Sequence, residues 1–536
     1  MSHKKLYALT YAERASFAHV LCTANSTVGQ IGTGYEEVFG SDANDATRTS
    51  NVSSDITWAA DTGTFTFARA GIYHIVFSAH TQQETANRAQ TFLMGLNSAT
   101  PFYASYSQVN TGFDPVESTH QTIVSISAND VLHIQMKTGA GTTATIVKGT
   151  SVTITEITSG HYASQQVTAD GTTTTVTEYN PFDDNLSGNP SSYTTVSAGM
   201  TVTGTVGSFT ANAAGRYLIM VSNNMVLANA GGGNGTITMK LKKNGTAFAT
   251  RVVLCNAGDD PAENTFCLIE NLADADVLTM TWSTDDGDDG DGIRAAKGSN
   301  FTVFKLHEEV HTNGDTAGFF GYPYISIQNT ETDYTASNDE ENPFIGDGDD
   351  NAYDSENTFD TRTSSGITFT NTDGKFTVSE PGLYAVYFAP IFTINSGEDV
   401  DIRIKVNGTE QVTSTGKVSA GPDPLDKTVT AFLELNKNDA ITITVDVGSD
   451  KEMSCNSGTS VAIFRYFGFF KTEDTVADGL ISDDFTINTF SQGNLSAQYE
   501  RSVDQVPFKM GIRGALNLRG RPIARPSVVK LGDKKN

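Results

Sequence analysis

Apolar and polar residues alternate along much of this chain with a period of two. Val400, Ile402, Ile404 and Val406 are separated by Asp401, Arg403 and Lys405, and the run ends in Asn407-Gly408. Ile237, Met239 and Leu241 repeat the alternation before Asn244-Gly245, and Phe92, Met94 and Leu96 repeat it more weakly before Asn97. A period of two puts every apolar side chain on one face of an extended strand, and Asn-Gly suits a tight hairpin turn. Thr, Ser, Asn, Asp and Gly crowd the gaps between apolar runs. The pattern therefore predicts an all-β chain of many short strands.

The same landmarks return three times in the same order. Gly63-Thr-Phe65 precedes Gly71-Ile-Tyr73, Gly207-Ser-Phe209 precedes Gly215-Arg-Tyr217, and Gly374-Lys-Phe376 precedes Gly382-Leu-Tyr384, all with one spacing. Here the Phe is expected to end a short strand, the second Gly to make the turn, and the Tyr to open the next strand facing inward. The alternating run and its Asn follow. Next comes an Asp-containing turn between apolar strands, at Asp130, Asp276 and Asp439, and then a closing glycine, at Gly149, Gly298 and Gly458. Such repetition defines three modules, 17–160, 161–312 and 313–472, between a leading segment 1–16 and a final segment 473–536 that lacks the motif.

This order of landmarks resembles the complement C1q globular domain and its tumour-necrosis-factor-like relatives across residues 17–472. The chain departs from that pattern in having no collagen-like Gly-X-Y stalk. In the last strand, Phe464-Arg-Tyr-Phe-Gly-Phe-Phe470 comes nearest to the family's closing Phe-x-Gly-Phe-Leu form. The resemblance implies that each module is a ten-stranded antiparallel jelly-roll β-sandwich. It also implies trimeric packing, with aromatic and aliphatic side chains along a threefold axis. Two architectures then follow: an intrachain pseudo-trimer, or a fibre in which three chains stack three homotrimers. In the family both termini of a module lie near one end. The links near 157–163 and 307–315 look short for spanning a module at ~3.3–3.6 Å per residue, which favours the pseudo-trimer.

Composition adds the question of partners. The 536 residues are 38% hydrophobic and 18% charged, enough apolar material for packed cores. The net charge of −27 makes the body repel nucleic acid and anionic membranes. After residue 500 the sign reverses: nine Lys/Arg stand against Asp504 and Asp533, giving +7 there and −34 on the first 500 residues. From Met510 onward, isolated basic residues alternate with apolar ones and are broken by Gly and Pro. That pattern suits an extended arm, with Arg513, Arg519, Arg521, Arg525 and Lys530 pairing with carboxylates of a partner. The N-terminus has no signal-peptide-like apolar run and no stretch is long enough to span a membrane, so synthesis in a cytoplasm and no membrane partner are expected. Cys22, Cys255, Cys267 and Cys455 show no CxxC spacing and are expected as reduced thiols.

Chemistry-bearing motifs are few. The run from Asp285 to Gly292 contains Asp286, Asp288 and Asp291, and Asp347 and Asp349 alternate similarly. These five are weak calcium candidates, without EF-hand spacing, against the plainer reading of solvated turns. No other cofactor is expected. His307-Glu-Glu-Val-His311 matches a zinc-protease pattern, but that chemistry needs a helix. Here the motif continues a strand and opens what reads as a polar linker. No P-loop or G-x-S-x-G elbow occurs. The expectation is a non-enzymatic virion structural protein, a capsid-associated spike, fibre or decoration protein assembled in a host cytoplasm. Its basic arm would anchor it to other capsid proteins of the same particle. It would contribute to particle stability or to attachment to a host receptor or glycan. The alternative is an exported bacterial surface module that binds glycan or protein.

Overall fold

The computed structural model describes residues 15–26, 31–40, 47–83, 88–97, 101–109, 115–172, 178–183, 193–204, 207–228, 235–255, 261–284, 292–306, 308–313, 316–321, 323–329, 334–337, 340, 342–344, 359–394, 399–417, 428–447 and 452–468. Ala15–Phe467 is one compact unit. Met1–Arg14 with Gly468–Asn536 is a second, of which only Gly468 is described.

The fold is all-β, with three sandwich modules. In the first, one sheet runs Pro115–Ile126, Gly71–Gln83, Ser151–Glu156, Phe17–Cys22, Arg48–Val52. The facing sheet runs Ile56–Ala59, Thr64–Phe67, Val131–Thr138, Arg88–Leu96, Tyr103–Val109. Neighbours in space are seldom neighbours in sequence, and every pairing is antiparallel, as in a jelly roll. The second module repeats this order with Pro261–Leu272, Gly215–Ala228, Asn300–Lys305, Tyr162–Val167 and Tyr193–Ala198. The third repeats it with Val429–Leu435, Gly382–Ala389, Ser460–Gly468, Tyr324–Asn329 and Phe359–Ser365. Each module has its own apolar core between its sheets, built on the inward faces the period-two pattern marks.

The repeated landmarks have physical causes, and two differ from expectation. Phe65, Phe209 and Phe376 do not end strands; each is the buried second residue of one, in Thr64–Phe67, Ser208–Ala211 and Lys375–Val378. The turn belongs to the first glycine rather than the second. Gly63, Gly207 and Gly374 have φ of 76°, 53° and 56°, while Gly71, Gly215 and Gly382 already open long strands. The first glycine is also crowded by a crossing segment. A Cβ would lie 2.8 Å from Gly40 Cα at Gly63, 2.5 Å from the Phe182 carbonyl carbon at Gly207, and 2.6 Å from Asn342 Cγ at Gly374.

The tyrosines do face inward and are fully buried. Each hydroxyl donates to the carbonyl four residues back: Tyr73 to Arg69 (3.5 Å), Tyr217 to Ala213 (2.7 Å) and Tyr384 to Glu380 (2.6 Å). This satisfies the one polar atom of a buried ring. The Asn and Asp landmarks are partners. Asn97, Asn244 and Asn407 adopt left-handed backbone and donate Nδ2–H to Asp130, Asp276 and Asp439 at 2.7, 2.7 and 2.8 Å. The same Asn oxygens accept from the backbone N–H of Val131, Val277 and Ala440. Hydrogen bonds from the asparagines hold the Asp130 and Asp276 carboxyls below their usual range. Across the boundary between the second and third modules, Glu308–Asn313 pairs with Thr316–Gly321, so the stretch expected as a polar linker forms a hairpin.

Candidate functional site: the seams between the modules

Each module contacts both others, and equivalent strands make the contacts in cyclic order. The free edge strand of the first module, Pro115–Ile126, faces the second. Pro261–Leu272 of the second faces the third, and Val429–Leu435 of the third faces the first. An edge strand carries unpaired N–H and C=O groups, and these need partners. Side chains of the next module supply them.

Between the first and second modules, Ser222 Oγ donates to the Thr119 carbonyl and Gln121 Nε2 donates to the Met220 carbonyl at 2.8 Å. Between the third and first, Ser78 Oγ donates to the Thr428 carbonyl at 2.6 Å, and Thr153 and Thr430 hydroxyls meet at 2.7 Å. Strand registers make Ser78 and Ser222 equivalent, five residues after Tyr73 and Tyr217. The third equivalent is Ala389, which has no hydroxyl to offer. At that seam the edge is served differently. Ser326 Oγ accepts from the Ile269 N–H at 3.0 Å, and Gln328 Nε2 donates to the Thr250 carbonyl at 2.8 Å. Arg251, fully buried, donates to the carbonyls of Ala389 (3.3 Å), Pro390 (2.9 Å) and Gly458 (3.4 Å).

The closing glycines explain how the modules come so close. Gly149, Gly298 and Gly458 have φ of 96°, 100° and 97°. A Cβ on Gly149 would lie 2.7 Å from Ser414 Cα, one on Gly298 would lie 3.0 Å from Ser105 Cα, and one on Gly458 would lie 2.8 Å from Arg251 Cβ. Each glycine abuts a different module, again in cyclic order. Only glycine meets both demands.

The resemblance implies apolar packing along the trimer axis; beside the polar contacts, the inner sheets bury Val76, Leu218, Met220, Phe304, Leu383 and Tyr387 outside the three sandwich cores. Aromatic rings also meet between the first and third modules. Phe17 and Phe432 rings lie 4.9 Å apart, and Tyr466 donates its hydroxyl to the carbonyls of Ser16 (2.9 Å) and Glu156 (3.0 Å). Arg216 of the second module lies over the Tyr324 ring of the third at 4.4 Å. Cys267 sits on the seam strand of the second module as a buried free thiol, and burial pushes its pKa up. Cys22 and Cys455 are also buried free thiols, pushed up to about 12.

Every residue singled out from the sequence for binding lies outside the described residues. This holds for the calcium candidates Asp286, Asp288, Asp291, Asp347 and Asp349, and for Arg513, Arg519, Arg521, Arg525 and Lys530. Among the described residues no group of three or more His, Cys, Asp or Glu could hold a metal ion. His311 lies on the strand Glu308–Asn313, not on the helix that zinc-protease chemistry requires. No helix among the described residues is long and apolar enough to cross a membrane.

Sequence reasoning missed the seam residues. One signal was available: Ser78 and Ser222 are polar residues at one register within otherwise apolar strands. Sequence reasoning also missed a repeat inside the modules, Asn180-Pro-Phe182 and Asn342-Pro-Phe344, which form the segment crossing the first motif glycine. In both, Asn Oδ1 accepts from the Phe N–H at 3.0 Å, and Asn Nδ2 donates to the glycine carbonyl. The variable loop between this tripeptide and the glycine hid the repeat.

No protein-family model matches the sequence, and no curated protein matches it. Among solved structures the chain is similar to that of Eiger TNF from S. frugiperda, at 13% identity and a TM-score of 0.20, covering 28% of this chain and 97% of that one.

Proposed function

We propose that this chain is a virion structural protein, a capsid-associated spike, fibre or decoration protein. In this reading its three modules form the single-chain counterpart of a trimer, and its basic arm docks on other capsid proteins. The observation that carries the reading is the cyclic set of seams. Each free edge in the ring of modules is covered by the same chain, so the head needs no second copy to close. Tyr35 is the one large hydrophobic side chain exposed among the described residues, which suits a solvated head. The charge split, −34 before residue 501 and +7 from it onward, supports the arm as the partner contact.

Deleting residues 501–536 tests the reading. The shortened chain is expected to sediment as a folded monomer and to lose binding to particles that lack the protein. Binding equal to that of the full chain would sink the anchor, and a trimer in solution would sink the single-chain ring.

A further inference from the structure

Histidine is distributed unevenly over the described modules. His19, His74, His80 and His120 are all buried in the first. By register, His19 corresponds to Ser164 and Ser326, His74 to Leu218 and Ala385, and His120 to Phe266 and Val429. The second and third modules therefore hold apolar or hydroxyl groups where the first holds these three imidazoles.

Three of these rings lie one hydrogen-bonded step from a neighbouring module. His74 Nε2–H donates to Gln121 Oε1 at 2.9 Å, and Gln121 Nε2 donates to the Met220 carbonyl of the second module. The His74 ring also packs on Phe304 of that module, with centroids 5.2 Å apart. His19 Nδ1 meets Thr153 Oγ1 at 3.0 Å, and Thr153 meets Thr430 of the third module. His120 Nδ1 meets the Tyr103 hydroxyl at 3.2 Å, which donates to the Gly298 carbonyl of the second module at 3.1 Å. The remaining nitrogen of His120 meets Ser118 Oγ at 2.7 Å. His74 Nδ1 and His19 Nε2 are buried with no hydrogen-bond partner.

We propose that the first module is an acid-released clasp: protonation of His19, His74 and His120 loosens both seams that hold it, while the seam between the second and third modules stays closed. A proton on His74 Nδ1 or His19 Nε2 places a charged donor where no acceptor waits. A proton on His120 forces the Ser118 hydroxyl to turn away from it.

The elements packed against these rings offer little compensation. The charged groups on the strands packed against them are Arg48, Glu117, Glu156, Arg216, Glu270, Lys305 and Glu434, none of which bonds one of the three rings, whereas the Tyr103 hydroxyl bonds His120. His80 differs, because its Nε2 lies 3.4 Å from Glu117 Oε1, and it is not part of the clasp. No histidine stands at the register positions of the seam between the second and third modules, where Arg251 bridges to three carbonyls at any pH below its own titration.

Burial lowers His19 and His74 from 6.5 to about 4 and His120 to about 3. A histidine depressed in the closed state stabilises that state fully above its open-state value. The contribution is lost as pH falls from about 6.5 toward the closed-state value. Each of the three raises the ratio of open to closed ring by up to about tenfold per pH unit in that window.

Hydrogen exchange of the full chain between pH 7 and pH 4, corrected for the intrinsic rate, tests the clasp. Pro115–Ile126 and Val429–Leu435 are expected to lose protection while Pro261–Leu272 keeps it, and the H19Q/H74Q/H120Q variant is expected to lose this change. Protection unchanged at pH 4, simultaneous loss in all three strands, or the same profile in the variant would each overturn the proposal. Should the variant fail to fold, imidazole resonances of the native chain decide. The three rings are expected to show no titration from pH 7.5 to pH 5 while the ring is closed, and one titrating near 6.5 defeats the clasp.

Discussion

At the scale of the residue, the closing glycines carry a double constraint that the hairpin glycine Gly245 does not. Gly298 combines a left-handed backbone with a neighbouring module against its missing side chain. Gly245 has φ of 80° but nothing within 4 Å of the Cβ position. Gly298→Ala is therefore expected to lower the unfolding free energy by about 2–4 kcal/mol, from backbone strain and overpacking together. Gly245→Ala is expected to cost only about 1 kcal/mol. Urea unfolding of the two variants side by side measures the difference, and equal losses would mean that the seam yields freely. Arg251 makes the complementary case. Arg251→Ala leaves three buried carbonyls without their donor and is expected to cost about 3 kcal/mol.

At the scale of the element, the strands were legible because each carries its own evidence. Val400 to Val406 alternates so strictly that strand, inward face and following turn all appear in one line of sequence. The Tyr spacing was equally legible, though its cause was not. The sequence suggested that the second glycine turns the chain, whereas the first does, because the crossing segment at Gly40, Phe182 and Asn342 is distant in sequence. The tyrosine hydroxyls give a direct check. Tyr217→Phe and Tyr384→Phe each remove a short buried hydrogen bond and are expected to cost about 1 kcal/mol in urea unfolding. Tyr73→Phe removes a bond of 3.5 Å and is expected to cost less. No loss in any of the three would show that the ring, not the hydroxyl, carries the motif.

At the scale of the whole molecule, little could be read ahead. A seam of Ser, Thr, Gln and His looks in sequence like solvated surface, because period-two reasoning marks only one side of a strand as buried. The inner sheets are buried on both sides, by a core on one and a neighbouring module on the other, as Ser78, Thr153 and Gln121 record. The cyclic arrangement predicts that cutting the chain within residues 157–161 leaves the first module attached through its seams at neutral pH. Co-sedimentation of the two pieces checks this, and separation at pH 7 would mean that the covalent link does the holding. The arrangement has one further consequence. A trimer of identical chains repeats every substitution three times around its axis, so no position can vary alone. Here Ser78 and Ser222 stand where the third module has Ala389, and the ring closes all the same. Each face can drift or specialise independently, and a single molecule can present three different surfaces in a fixed circular order.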